Sequence, residues 1–173
     1  MPGNLKSSAM RFRYLLALLI LSRPALAEVL WLPHTPGTLH ESAVVVDRVG
    51  GSVKVLCRAR LADGYLHPGT TTDVLCVVPQ KGRVERVREF EVAVRGAPRW
   101  TRDDWAGSTA VGRQGRTDLF FCRAPVRVGD ASTGWAFGKA YREGSHARHC
   151  YVAFGDREID VGGEFEILRI EPR

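Results

Sequence analysis

CRARLADG (Cys57–Gly64) and CRAPVRVG (Cys122–Gly129) are near twins inside one chain of 173 residues. Each begins with cysteine, arginine and alanine and reaches a glycine seven positions after its cysteine. Working outward, the likeness continues in order: Cys76 answers to Cys150, and EFEV (Glu89–Val92) answers to EFEI (Glu164–Ile167). Matching order marks an internal repeat rather than chance similarity. The flanking runs are short, β-branched or aromatic, and broken by glycine, which is strand patterning. AVVVD (Ala43–Asp47), VKVLCRA (Val53–Ala59), VLCVV (Val74–Val78) and EFEVAV (Glu89–Val94) form a first series. DLFFCRA (Asp118–Ala124), HCYVAF (His149–Phe154) and EFEIL (Glu164–Leu168) form a second, with RGAPRW (Arg95–Trp100) as the expected linker. The expected fold is therefore all-β: two tandem related antiparallel β units, 28–96 and 97–173, in a pseudo-twofold arrangement sharing one core. The cysteines stand 19 residues apart in the first copy and 28 in the second, so the second has gained nine. The gain falls in DASTGWAFGKAYREGSHAR (Asp130–Arg148), whose glycine and polar content suits a surface loop or hairpin.

The first 27 residues stand apart from this pattern. Arg11 and Arg13 precede the apolar run YLLALLIL (Tyr14–Leu21), and in Ala25-Leu26-Ala27 the two alanines supply the small residues of a signal-peptide cleavage site after Ala27. The run is far short of the roughly 20 residues that span a bilayer. Residues 1–27 are read as a leader, and the chain as secreted, extracellular or periplasmic. That segment carries Lys6, Arg11, Arg13, Arg23 and no acid, so the formal charge of +6 falls to +2 without it. Mixed charge such as RVERVREFE makes no basic stripe. Nucleic acid is excluded as an expected partner, and so is the membrane after leader removal.

Four cysteines in an exported chain point to disulfides, and spacing alone leaves three connectivities open. The repeat selects one: if the copies fold alike, Cys57 pairs with Cys76 and Cys122 with Cys150, each joining adjacent strands. A zinc site needs close ligand pairs such as C-x-x-C, which this chain lacks. His149 and Cys150, as strand neighbours, point to opposite faces and make a poor base and nucleophile. No metal and no cofactor are expected.

Taken together, CRARLADGYLHPGT, VLCVV and EFEV in the first copy, with CRAPVRVG, FGK, HCYVAFGDRE and EFEIL in the second, resemble the tandem DM-nine repeat found in some mannose-binding lectins. The resemblance runs from about Trp31 to Leu168, and HCYVAFGDRE is its most specific part. It departs at Cys57 and Cys122, where the family usually has glycine. The family's ligand-binding lysine follows P-G. Lys139 in FGK matches it, whereas the first copy has Thr70 after His67, Pro68 and Gly69. WAFGKAYREG can also be laid over the family's G-R-A-x-x-x-G, which takes that role from Lys139. The first alignment keeps Cys122 in register with Cys57. The family's aspartate is matched by Asp47 after AVVV, and by a shifted Asp118 in AVGRQGRTD, where Arg113 intrudes.

The resemblance implies a noncatalytic, lectin-like protein binding a mannose-type glycan. Sugar hydroxyls are held by fixed carboxylates and cations beside an aromatic face. The expected ligand-binding residues are Lys139, Asp118 and Asp47, with Trp135, the tryptophan set in the polar segment, as the aromatic face. Trp31, Trp100 and Trp105 read as core anchors. Two other classes use the same strands: a secreted module binding another protein, or a structural one. An enzyme would need a carboxylate pair from Asp103, Asp104, Glu158 or Glu166, and no spacing singles one out. Phe90 and Phe165 are expected inward in their strands, with the glutamates outward.

Overall fold

A computed structural model describes residues 29–102, 104–128 and 132–172. The expected leader, Asp103 and the tip of one hairpin lie outside the described residues. The fold is all-β, a single connected antiparallel sheet of 14 strands. The first half contributes β1 (Leu30–Pro33), β2 (Val45–Val49), β3 (Ser52–Arg60), β4 (Leu66–Thr71), β5 (Cys76–Gln80), β6 (Arg83–Val87) and β7 (Phe90–Val94). The second contributes β8 (Ala97–Thr101), β9 (Ala110–Gln114), β10 (Thr117–Val128), β11 (Ser132–Tyr141), β12 (His149–Phe154), β13 (Arg157–Gly162) and β14 (Glu166–Glu171).

The two halves repeat each other pairing for pairing. Cys57 on β3 lies opposite Gly69 of β4 and Val92 of β7. Cys122 on β10 lies opposite Gly138 of β11 and Ile167 of β14. β2 joins β3 with a register shift after Val45, and β9 joins β10 with one between Leu119 and Phe120. Even the ion pairs recur: Arg58 Nε to Glu91 Oε2 and Arg123 Nε to Glu166 Oε2 are both 2.6 Å. Each guanidinium covers a tryptophan, Arg58 over Trp31 at 4.2 Å and Arg123 over Trp100 at 4.4 Å. Phe90 and Phe165 are buried as expected. Their neighbours Glu91 and Glu166 do not stand free in water, because these arginines hold them at the surface.

Both expected disulfides form, each with its Cα atoms 6.0 Å apart, but they do not join adjacent strands. Cys57 reaches from β3 past β4 to β5, and Cys122 from β10 past β11 to β12. Strands two places apart in a flat sheet are roughly 9–10 Å apart. The bridge therefore requires the sheet to roll, and a glycine on each crossed strand permits it. A Cβ on Gly138 would run into the Tyr151 carbonyl, and one on Gly69 into that of Val77. Only a residue without a side chain tolerates such backbone approach.

The core is not single. Leu56, Ala93, Val44 and Val46 meet Phe121, Phe137, Leu168 and Val111 in a cluster common to both halves, flanked by Trp31 and Trp100. Val55, Cys57, Cys76 and Val92 form a second cluster within the first half, and Phe120, Cys122, Cys150 and Ile167 a third within the second. Alternate residues of β3 and β10 thus face two different interiors, one shared and one private. That is why these strands read as near-continuous apolar runs rather than as clean alternation. Trp105 packs on the third cluster, so all three tryptophans expected as core anchors occupy that role.

Two sequence expectations need correcting. RGAPRW is no linker: Ala97–Thr101 is β8, which pairs with β14 as β1 pairs with β7. The nine added residues are not one loop. Twelve positions separate Cys57 from Gly69 against sixteen for Cys122 and Gly138, so four lengthen the β10–β11 hairpin. The other five lengthen the β11–β12 connection, since Gly69 to Cys76 is seven positions and Gly138 to Cys150 is twelve.

Candidate functional site

Lys139 sits mid-β11, between Phe121 of β10 and Tyr151 of β12, and its residue surface is only 2% exposed. A lysine so placed must find partners for its ammonium group. Nζ donates to the Pro79 carbonyl at 2.7 Å and to Gln80 Oε1, and it pairs with Glu158 Oε1 at 3.3 Å. Glu158, on β13, accepts a 2.6 Å bond on its other oxygen from the Gly82 amide. The three ammonium protons and both carboxylate oxygens are thus engaged. Burial pushes the Lys139 pKa down, and the Glu158 charge and hydrogen bond only partly restore it.

Pro79, Gln80 and Gly82 belong to the β5–β6 hairpin of the first half, so the pair clasps one half to the other. The hairpin turn is Lys81-Gly82, at φ 51° and 81°, the left-handed pair that a two-residue type I′ turn demands. Behind it, Gln80 Nε2 donates to Asp63 Oδ2 at 3.0 Å, and the same oxygen meets His67 Nε2 at 3.0 Å. Burial pushes His67 below its ordinary pKa, and the Lys139 charge adds to that, against the opposing pull of Asp63. Burial alone would raise Asp63; the Tyr65 amide and the charge and hydrogen bond of His67 outweigh it and leave the carboxyl below its usual value.

In front of Lys139 opens a cleft of about 500 Å³. Gln80 and Lys81 form one wall. Opposite stand Tyr141, Tyr151 and Gln114, with Ser145 and His146 from the lengthened β11–β12 connection at the rim. The Tyr141 hydroxyl donates to Gln114 Oε1 at 2.9 Å, and burial, then the charges of Glu158, Tyr151 and Asp63, push its pKa up to about 12. Tyr151 is hydrogen-bonded to His146 Nδ1 at 2.7 Å, and its ring lies edge-on to Tyr141 at 5.8 Å. Burial, then Asp160 and Glu158, raise the Tyr151 pKa as well. The cleft therefore presents aromatic faces, neutral amides and hydroxyls around a fixed ion pair.

The four residues expected from the sequence to bind ligand are not brought together. Lys139 alone lines this cleft. Asp118 lies outside it, exposed, 3.3 Å from Arg113, although its neighbour Thr117 lines the wall. Asp47 pairs with Lys54 at 3.3 Å on β3. The two aspartates are not even equivalent: by register Asp47 corresponds to Gly112, and Asp118 to Val53. Trp135 is 38% exposed in a separate cleft of about 350 Å³, with Arg123 stacked on its ring at 4.3 Å. The acid beside Lys139 is Glu158, which the sequence offered only as one of several loose carboxylates. Its signal was present as the closing letter of HCYVAFGDRE. Register also supports the alignment placing FGK over PGT, since Gly138 and Gly69 both face the first cysteine of their half.

Among the described residues, the candidates for thiol and paired-acid chemistry are engaged with other partners. All four cysteines are oxidised, and His149 is engaged with Asp160 at 2.7 Å. Glu166 is held by Arg123, and Asp104 by the Gly107 amide at 3.0 Å.

No family model and no curated protein matches the chain. Among solved structures it is similar to the nematode sperm cell motility protein MFP2B, with 14% identity and a TM-score of 0.59. The match covers 84% of this chain and 45% of that one, so the chain spans less than half the length of that protein. At such identity the likeness speaks for the β fold alone.

Proposed function

We propose that the chain is an exported, noncatalytic saccharide-binding protein whose ligand enters the cleft in front of Lys139. One observation carries this reading: a preorganised lysine–glutamate pair forms the floor of a cleft walled by two tyrosines and two glutamines. A sugar ring needs such an environment, with apolar faces for its C–H side and fixed polar groups for its hydroxyls. Gln114 and the tyrosine hydroxyls exchange their internal partners for sugar hydroxyls, while Gln80, Lys139 and Glu158 remain bonded to one another beneath them. The two disulfides fit an oxidising compartment. The mannose preference, and membership of the DM-nine family, rest on the motif resemblance. A half-turn relating the two repeats is part of the same proposal, and it rests on their matching pairings.

The buried lysine–glutamate pair has no counterpart in the first half. Where the second half has Lys139, Tyr141, Tyr151 and Glu158, the first has Thr70, Thr72, Val77 and Val84 at the equivalent registers. One saccharide per chain is the expected stoichiometry. A second reading, in which the pair is purely a clasp and the chain binds another secreted protein, is favoured by the saturation of every Lys139 proton.

Glycan-array binding with competition by free mannose separates the two. The paired variant Lys139→Thr/Glu158→Val installs the first half's own residues, which removes both charges together and leaves neither unpaired. It should lose glycan binding while keeping its fold. Undiminished binding by this variant would refute the assigned site, and hydrolysis of a polysaccharide panel would replace the reading with an enzymatic one.

A further inference from the structure

We infer that the saccharide taken by this cleft is acidic, and that Lys81 is the residue that selects for its anionic group. The inference rests on the saccharide-binding reading and names its ligand class. It follows from asking which charges in the cleft are already spent. Glu158 spends one oxygen on Lys139 and the other on the Gly82 amide. Lys139 spends its protons on Glu158, Gln80 and Pro79. That pair is neutral as a unit and closed to new partners of either sign.

Lys81 differs. It lines the cleft, its residue is exposed, and among the described residues no carboxylate lies within ion-pair distance of it. The acid whose pKa it influences, Asp63, is already bound by the Tyr65 amide, His67 and Gln80. The backbone that carries Lys81 is also fixed. It occupies the left-handed first position of a two-residue turn whose second residue, Gly82, is tied to Glu158. The remaining wall, Gln114, Thr117, Tyr141, Tyr151, Ser145 and His146, carries no acid. The cleft thus offers one unmatched cation and no unmatched anion.

A neutral hexose would leave that cation without a partner, whereas a ring bearing a carboxylate or a sulfate supplies one. Lysine suits either group, since its ammonium acts as a point charge rather than a planar fork. The equivalent position in the second half is Gly155, so the other cleft has no cation at that register.

The test is calorimetric titration of the full, disulfide-bonded chain with three ligands built on one ring: mannose, mannuronate and mannose 6-sulfate. Mannuronate, the sulfate, or both should bind about tenfold more tightly than mannose at low salt, and the margin should narrow as ionic strength rises. The arm that wins identifies the anionic group. Lys81→Gln, at an exposed turn position that alters no core contact, should erase the margin. Equal affinity for all three ligands, or a margin that survives Lys81→Gln, would overturn the inference and leave the saccharide reading standing. Failure of all three to bind would overturn both.

Discussion

The clefts in front of Lys139 and in front of Thr70 are built on the same backbone positions and share none of their chemistry. Gln80, Lys81, Lys139, Tyr141 and Tyr151 line the first, and Phe154, Gly155, Thr70, Thr72 and Val77 stand at the matching registers of the second. Pairing, disulfide and glycine are held constant between them. What differs is which side chains the frame presents, and whether a lengthened β11–β12 connection stands at the rim. A sheet rolled by a disulfide and a glycine is therefore a neutral scaffold. A buried ion pair placed upon it in one of two similar hollows sets that hollow apart from the other, whose charged lining residue is Lys54.

The comparison breaks most sharply at Lys139. Converting it alone to the first half's residue, Lys139→Thr, strands Glu158 at 8% side-chain exposure and should cost about 3 kcal/mol in chemical denaturation. Adding Glu158→Val should recover most of that loss. If the double variant is no more stable than the single, the two frames are not interchangeable. The disulfides come next, and here the halves should agree. Cys57→Ala/Cys76→Ala and Cys122→Ala/Cys150→Ala open loops of 19 and 28 residues, and the chain-entropy argument predicts about 3 and about 3.5 kcal/mol. A large disparity in unfolding free energy would mean that one bridge, not both, sets the roll.

Smaller effects sharpen the contrast. Arg58 covers one tryptophan, whereas Arg123 lies between Trp100 and Trp135 at 4.4 and 4.3 Å. Arg123→Ala should therefore destabilise by about 0.5–1 kcal/mol more than Arg58→Ala. Identical losses would show that the Trp135 stack contributes nothing. Least of all is the acid response of His67, whose equivalent in the second half is Ala136. The His67 pKa is lowered in the folded state, so the unfolded chain binds the proton first as pH falls below about 6.5. His67 contributes stability that is present above that pH and lost as pH falls toward its folded value, where Asp63, Lys139 and Glu158 are the charges facing it. The melting temperature should drop between pH 7 and pH 5, with a shallower slope in His67→Gln. An unchanged slope would place the acid sensitivity elsewhere.

The duplicated frame was legible because it is written twice. Cys57 and Cys122, Cys76 and Cys150, Phe90 and Phe165 repeat in order, and the pairing of the cysteines followed from that order. The strands flanking them were missed for local reasons. β4 contains a proline and a glycine and only one aliphatic residue, β6 is mostly charged, and β8 carries a proline that its edge position tolerates. The site was less legible. Lys139 was found as a motif letter, but its partners Pro79 and Gln80 stand 60 and 59 positions away. Asp118 and Asp47 were chosen by their match to a family motif, and a local motif says nothing about which strand crosses in front of which.

By itself the sequence determined the repeated β unit, the two disulfides and the tryptophans given to the interior, because those depend on short-range alternation and on letters that recur. Only the tertiary structure decided that the bridges skip a strand, that the interior divides in three, and that Lys139 meets Glu158 beneath Gln80. Those are contacts between strands that are not neighbours in the chain, within a half or across the two, set by how far a rolled sheet turns back on itself. Pairwise order along a chain does not encode that curvature; it emerges where backbone approaches backbone at Gly69 and Gly138.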